Sequence, residues 1–387
     1  MTTQVRTPRI LHLAVDYPDA FDQQKTRAIR NFVRANPAVD HVVVALTRTG
    51  DPRKACLVRG DGAGDASVFS MRYFAPPLGI LLYASMVAVA VRIRRLLRRE
   101  KIEVDLIHAH KLCFEGIAGY LLSRWLNVPL VCSVRGEAES KILRFLPYYR
   151  PLIGRIIRRC TRLYYVSLWF RPRIEELFPQ AVDRGAPLPN FCPGTALPPD
   201  ARPDPNRFVT ILHLDIYRKK GLDRLLPAFA VLARHHPDVS LDIIGRGGGE
   251  SIRRIEQLID THGLRGRARL RGAMPSKQLL AELPSYGAMC LPSHNETFGM
   301  VYVEALLSGV PVLYSLRTGI DGFLDGVDGA IGVDPTSVEA IARGLEQLLA
   351  RHGQLRASLV AQHDTIAARF EAAPYIERYN RDIGLVA

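Results

Sequence analysis

Glu296 and Glu304 stand eight positions apart in PSHNETFGMVYVEALLSGVPV (residues 292 to 312), flanking a glycine just before a buried strand. Two carboxylates so spaced can accept hydrogen bonds from hydroxyl groups at two ends of one ligand. Asn295 is a favoured N-cap type, so a helix is expected to open near Thr297 to Gly299. Its unpaired N–H groups and positive dipole end would face an anion such as a diphosphate, across Thr297, Phe298, Gly299, Met300 and Val301. At about 1.5 Å per residue, Glu304 lies roughly 7 to 9 Å further along that helix. Gly309 and Pro311 end it.

Other residues of suitable chemistry follow strand-like runs. Lys220, Gly221 and Asp223 lie in IYRKKGLDRLLPAFAVL, where a lysine can grip a diphosphate as a point charge and offset negative charge on a leaving group. DLIHAHKL puts His108 and His110 at the carboxyl end of a strand: His110 can position a hydroxyl, while His108, nearer the strand interior, reads as a core residue. Arg135 in SVRGEAES cannot act as a base at neutral pH and suits a charge clamp. Glu137 and Glu139 are nearby candidate bases, although a helix start favours acids in any case. The turn IIGRGGGES, beginning at Gly245, carries Glu250 where a dinucleotide fingerprint needs its third glycine, and the next strand, ARLRG, is basic, which argues against nicotinamide binding. No D-x-D pair stands at a strand end, and Asp321, Asp325 and Asp328 read as a solvated turn, so no metal and no cofactor is expected.

The context PS..E.FG....EAL..G.PV resembles the E-x7-E signature of the family-4 retaining glycosyltransferases, and Lys220, Gly221 and Asp223 match that family's K-G-x-D-x-L-L-x-A-F pattern. The resemblance implies a nucleoside diphosphate sugar donor, with Glu296 on the sugar, Glu304 on the ribose and the backbone between them cradling the phosphates. It implies that Gly245 lines the nucleotide, that the base meets main chain at Ala273 and Met274, and that His110 and Arg135 line the reaction centre. Departures stand beside the matches. Asp215 occupies the place of a phosphate-binding arginine, for which Arg218 is the expected substitute; Asp16, Lys25 and Arg27 occupy a loop where relatives have paired glycines; Asn190 in LPNF lacks a following glycine; and TGIDGF (318 to 323) matches a Gly-Gly-x-x-E loop only loosely. The implied reaction is metal-independent front-face transfer to a lipid-linked or polysaccharide acceptor in cell-envelope or exopolysaccharide biosynthesis. Alternatives are a hydrolase using the two glutamates, an epimerase or phosphorylase of the same fold, and a non-catalytic membrane- or nucleic-acid-binding module on a decayed site, to which Asp215 lends weight.

The elements that must position these residues alternate. Apolar runs at 10–15, 41–46, 104–108, 129–134 and 163–167, then at 208–214, 239–245, 268–272, 287–292 and 311–315, are separated by helix-length segments. Their near-continuous apolarity points to parallel sheets covered on both faces. The fold class expected is α/β: two doubly wound Rossmann-like domains (GT-B) facing a central cleft, with ligands at the carboxyl ends of the strands. An acceptor-binding domain over 1–190, a donor-binding domain over 206–370, a Pro-rich linker between them and a helix at 371–387 crossing back to the first domain complete the expectation.

A chain of 387 residues suits two such cores. Its net charge of +14 is uneven, since residues 1–200 hold 30 Lys and Arg against 17 Asp and Glu. From Lys141 to Arg173 nine basic residues occur without an acid, interleaved with Phe145, Tyr148, Tyr149, Tyr164, Tyr165, Trp169 and Phe170. Residues 75–99 join 17 uncharged residues to five arginines, which fits either a core helix with a basic cap or a segment docking on an anionic bilayer. No run demands a membrane span, MTTQVRTPR is not a signal peptide, and six scattered cysteines indicate neither zinc nor disulfides. A cytoplasmic protein, peripheral on the inner face of the plasma membrane, is the expectation; nucleic acid finds no supporting motif.

Overall fold

In a computed structural model the described residues are 6–23, 25–60, 66–192, 197 and 202–384. Parts of three expectations lie outside them: the N-terminal segment at residues 1–5, the linker at 193–196 and 198–201, and the tail end at 385–387. The chain divides into two compact units: the first is Met1–Val166, Phe170–Phe191 and Ala372–Ala387, the second Ser167–Trp169 and Cys192–Glu371.

Unit 1 is built on eight strands: β1 (Arg9–Ala14), β2 (Asp40–Thr49), β3 (Cys56–Arg59), β4 (Ala66–Phe74), β5 (Leu106–Ala109), β6 (Leu130–Val134), β7 (Cys160–Tyr165) and β8 (Gly185–Pro187). Their order is β3-β4-β2-β1-β5-β6-β7-β8, which reverses direction between β1 and β5. The inner strands are buried on both faces, hence mostly apolar, with His12, His108 and Ser133 as buried polar exceptions. The sheet is not purely parallel, however. β3 pairs antiparallel with β4, and both escaped the sequence reading because Arg59, Ser70 and Arg72 break the apolar run.

The helix Leu82–Arg99 buries Leu82, Met86, Val89, Ala90, Ile93, Leu96 and Leu97, the three-to-four spacing of a core-facing stripe. Among the described residues no helix is long and apolar enough to cross a membrane. The aromatic interleaving of 141–173 also separates: Tyr149, Tyr164, Tyr165 and Phe170 are buried, leaving Phe145 and Tyr148 each 67% exposed.

The helix Ala372–Ile383 belongs to unit 1, where Ile376, Tyr379 and Ile383 join a cluster with Ile10, Phe32, Val43 and Tyr164. Asn380 and the buried Asn36 exchange side-chain amide hydrogen bonds at 2.8 and 2.9 Å.

Among its described residues unit 2 has six strands, all in parallel pairings: β9 (Asp204–Ile211), β10 (Ser240–Ile244), β11 (Ala268–Gly272), β12 (Tyr286–Cys290), β13 (Val312–Ser315) and β14 (Ala330–Val333). The order β11-β10-β9-β12-β13-β14 is doubly wound, with its switch point between β9 and β12. The basic character of β11 has a structural cause. Arg269 and Arg271, with Arg207 and Tyr286, surround the buried Asp242 of β10. Burial alone would raise that carboxyl; hydrogen bonds from Arg269, Tyr286 and Arg207 hold it at about 2 instead.

The paired amides yield a first test. Asn380→Leu leaves the buried Asn36 amide unmatched and should cost about 1 to 3 kcal/mol in urea denaturation, whereas Asn36→Leu combined with it should recover part of that loss.

Candidate active site

The switch point of unit 2 brings two loops together. One follows β9 and carries Lys220; the other follows β12 and carries Glu296. Gly221 makes their approach possible, because its φ of +73° is left-handed and a Cβ there would sit 1.9 Å from the carbonyl oxygen of Pro292. The His294 N–H then donates to the Lys219 carbonyl at 3.0 Å. With the backbones so fixed, Lys220 Nζ lies 2.5 Å from Glu296 Oε2, the two side chains being 18% and 13% exposed. A third loop secures the glutamate's backbone: Thr318 Oγ1 accepts from the Glu296 N–H at 2.8 Å, and the Gly319 N–H donates to the Glu296 carbonyl at 3.0 Å. TGIDGF thus positions Glu296, while Asp321 accepts from its own turn at the Arg317 N–H.

The helix after this loop starts later than expected. It spans Met300–Leu307, is preceded by Gly299 at φ +88°, and has no side-chain cap, so Asn295 does not cap it and Thr297 to Gly299 are loop. The cause is Phe298, which is buried against Phe323 and Phe370 and turns the chain inward before the helix can begin. Phe298 can therefore offer a ligand only its backbone. Ser167 Oγ donates to the Thr297 carbonyl at 2.7 Å. Met300 and Val301 are the first helical residues, and a helix start leaves their N–H groups without intrahelical acceptors.

Tyr302, Val303, Ala305, Leu306 and Leu307 face the core, which leaves Met300, Val301 and Glu304 together on the half-buried side. Among the described residues no side chain pairs with the Glu304 carboxylate, and burial raises its pKa. Gly309, at φ +70°, ends the helix.

The remaining donor-side candidates spread around this centre. Arg218 is exposed, and its Nε donates to the Tyr217 hydroxyl at 3.1 Å. Asp215 Oδ1 accepts from the Gly248 N–H at 2.7 Å, so the acid standing where relatives have arginine ties its loop to the glycine-rich turn ahead of the helix Gly249–Thr261. The Gly245 N–H donates to the Gly272 carbonyl, linking the ends of β10 and β11, and Met274 lies half-buried just beyond β11.

His110 and Arg135 come together in unit 1, just past the ends of β5 and β6. Arg135 is 3% exposed and its Nε donates to the His110 carbonyl at 3.1 Å. Both line a small hollow with Phe32, Ser133, Asn190 and Phe191. Lys111 pairs with Asp16 at 2.8 Å beside them. Glu139 is fully buried and burial raises its carboxyl; Glu137 instead pairs with Lys141. His108 is fully buried, Nε2 at 2.8 Å from Ser133 Oγ and Nδ1 at 3.1 Å from the Tyr379 hydroxyl, and burial with the Arg135 charge lowers it to about 3.

Sequence reasoning missed His12 and His41, which continue this cluster. His12, His108 and His110 hold ring nitrogens within 4.8 Å of one another, a spacing compatible with a metal ion. The only available signal was HLA and HVV at strand positions, which is meaningless until register sets His12 opposite His108.

Each unit is a doubly wound α/β sheet with charged loops at its switch point, and comparison with known proteins shows which family has this architecture. Glycosyltransferase Family 4 matches residues 26–193, and Glycosyl transferases group 1 matches residues 198–363. The chain is 30% identical over 280 residues to the phosphatidyl-myo-inositol mannosyltransferase of Mycolicibacterium smegmatis, covering 70% of this chain and 68% of that one. It is 24% identical over 365 residues to the glycogen synthase of Mycobacterium tuberculosis, covering 88% and 86%. The Anabaena protein Alr3699/HepE, solved in complex with UDP, shares the fold with a TM-score of 0.69 at 16% identity over 97% of this chain and 99% of that one. The chain belongs to glycosyltransferase family 4 and has the GT-B fold.

The unpartnered Glu304 sets a stability prediction. Because its folded pKa is raised, the folded state holds a proton that the unfolded state releases, so stability falls as pH rises from the unfolded pKa to the folded one and the loss persists above both. Glu304→Gln should therefore raise the melting temperature at neutral pH by roughly 1 to 3 °C and leave it unchanged in acid; a lower value at neutral pH would show that the carboxylate is paired.

Proposed function

We propose that this glycosyltransferase moves a sugar with retention of configuration, and without a metal ion, from a nucleoside diphosphate sugar to a lipid-linked or polysaccharide acceptor of the cell envelope or exopolysaccharide. The observation that carries the reading is the Lys220–Glu296 pair at the switch point, beside a helix start whose half-buried face holds Glu304. An ammonium has three donors, so Lys220 can keep Glu296 while binding a phosphate oxygen. The amides of Met300 and Val301 take the rest of the diphosphate and Glu304 accepts from the ribose hydroxyls, with Arg218, Gly245 and Met274 along the nucleotide. The bond from the anomeric carbon to the phosphate oxygen breaks as the acceptor oxygen bonds on the same face. The acceptor's proton passes to the departing phosphate, whose charge Lys220 and the helix start absorb. Glu296 orients the sugar, and within unit 1 His110 and Arg135 position a substrate hydroxyl. The UDP complex of the Anabaena neighbour supports a nucleotide-sugar donor.

The test is turnover of UDP- and GDP-sugars with and without acceptor, with product anomers read by NMR. Retained configuration, indifference to EDTA and only slow hydrolysis without acceptor are expected. Inverted product or loss of turnover on chelation overturns the reading.

The proposed enzyme works at the cytoplasmic face of a bilayer. Ile80 and Leu81 (56% and 61% exposed) lie near Phe145 and Tyr148, the two segments being tied by the Tyr83 N–H donating to the Tyr149 hydroxyl at 3.1 Å. The Arg144 guanidinium sits 5.2 Å from the Phe145 ring centroid. Exposed apolar tips with an arginine beside them, in a segment rich in basic residues, suit an anionic lipid surface. All six cysteines are free thiols, in keeping with a reducing compartment. In flotation assays, binding to phosphatidylglycerol vesicles should fall with Phe145→Ser plus Tyr148→Ser and with high salt; equal recovery on neutral vesicles would refute the surface.

A further inference from the structure

We infer that the buried histidines of unit 1 form a directional hydrogen-bond relay, anchored at the Asn36 carbonyl, that presents Nδ1 of His110 as an acceptor and makes His12 and His41 positioning residues. Strand register creates the cluster. His12 of β1 lies directly opposite His108 of β5, and two-residue alternation keeps His110 and, on β2, His41 on the same face.

The direction follows from donor arithmetic. The Asn36 carbonyl can only accept, and His41 Nε2 lies 2.7 Å from it, so that nitrogen carries the hydrogen. A neutral imidazole has one donor and one acceptor, so His41 Nδ1 must accept from His12 Nε2, 2.9 Å away. His12 Nδ1 in turn accepts from His110 Nε2 at 3.1 Å. His110 Nδ1 is left with its lone pair, and among the described residues nothing donates to it.

The rings are neutral for reasons visible around them. His12 is 0%, His41 5% and His110 2% exposed, and burial lowers all three. Each further charge would fall beside another ring, and the Arg135 cation bears on His108 and His110. Asp40 is the acid that bears on His41, and burial outweighs it.

His108 closes separately on Ser133 and Tyr379, with its ring stacked on that of His110 at a centroid distance of 4.0 Å, which fixes the ring plane. Asn36, the anchor, is held by the Asn380 amide. His110 and Arg135 both line the same small hollow, so an acceptor nitrogen fixed on His110 suits a hydroxyl of the sugar or acceptor that must donate to nitrogen.

The kinetic part of this inference rests on the proposed transferase reading, but the tautomer does not, so it is measured on ligand-free protein. With 15N-labelled histidine, NMR should show His110 neutral and protonated at Nε2 alone from about pH 6 to 8. His41→Phe should mix its tautomers and lower kcat about tenfold with donor KM within about twofold, a hydrogen bond's worth. His41→Gln, whose amide offers both a donor and an acceptor, should restore most of both. A His110 found charged or protonated at Nδ1 in the wild type, a stoichiometric metal held by His12, His108 and His110 in the purified protein, or a folded His41→Phe with unchanged tautomer and kcat would overturn the relay. Absence of transferase activity alongside the expected tautomer would instead count against the function.

Discussion

One ion pair organises the candidate site. Lys220 and Glu296 come from loops after different strands, and the pair is largely shielded from water, so neither charge can be left alone cheaply. Removing one partner of a well-buried pair typically costs about 3 to 5 kcal/mol; at 18% and 13% exposure a smaller cost applies, because water still reaches both groups. Everything nearby serves to hold the two charges in contact. Gly221 lets one loop lie on Pro292, the Lys219 carbonyl fastens His294, and Thr318 with Gly319 grips the backbone of Glu296 from a third strand's end. A site assembled from three loops on one rigid sheet keeps its geometry without help from any ligand.

That dependence explains what could be read beforehand. Alternating apolar runs and helix-length spacers were enough for two α/β units, because buried parallel strands must be apolar throughout. β3, β4, β8 and β14 were invisible, being short or mixed in polarity, and the antiparallel β3 needs a partner before it means anything. At the site, Lys220, Glu296 and Glu304 stood out by motif, yet the helix start was misplaced. Asn295 favours a cap locally, and burial of Phe298 against Phe323 and Phe370 overrides that preference. Local propensity amounts to about 1 kcal/mol, while a buried aromatic side chain is worth more.

The histidines of unit 1 mark the opposite limit. His12 and His41 look like single polar residues within apolar strands, whereas His108 and His110 could be read at a strand end, and only the last of these as facing a ligand. Register makes the difference, because it places four rings within contact of one another around Phe32 and Tyr379. A core this polar is tolerable only when every buried nitrogen has a partner or faces a solvent-lined hollow. Asn36, Ser133 and Tyr379 supply those partners, so the helix Ala372–Ile383, which brings Tyr379 and Asn380, contributes to order near His110 as well as to packing.

Asp215 shows why the departures from family pattern do not argue against function. An acid in place of a phosphate-binding arginine would repel a diphosphate if its charge pointed freely into the site. Here the Gly248 N–H holds its carboxylate low, at the start of the helix Gly249–Thr261, where a positive dipole end already favours an anion. The carboxylate stays ionised but is held by the Gly248 N–H at that helix start, while at the switch point Lys220 is paired with Glu296. On the proposed nucleotide-sugar reading, a diphosphate would meet a lysine already paired with Glu296, so its affinity would draw more on the helix-start amides and on hydroxyl contacts to Glu304. In that proposal ribose contacts would carry a larger share of binding than in a site with two cations on the phosphates.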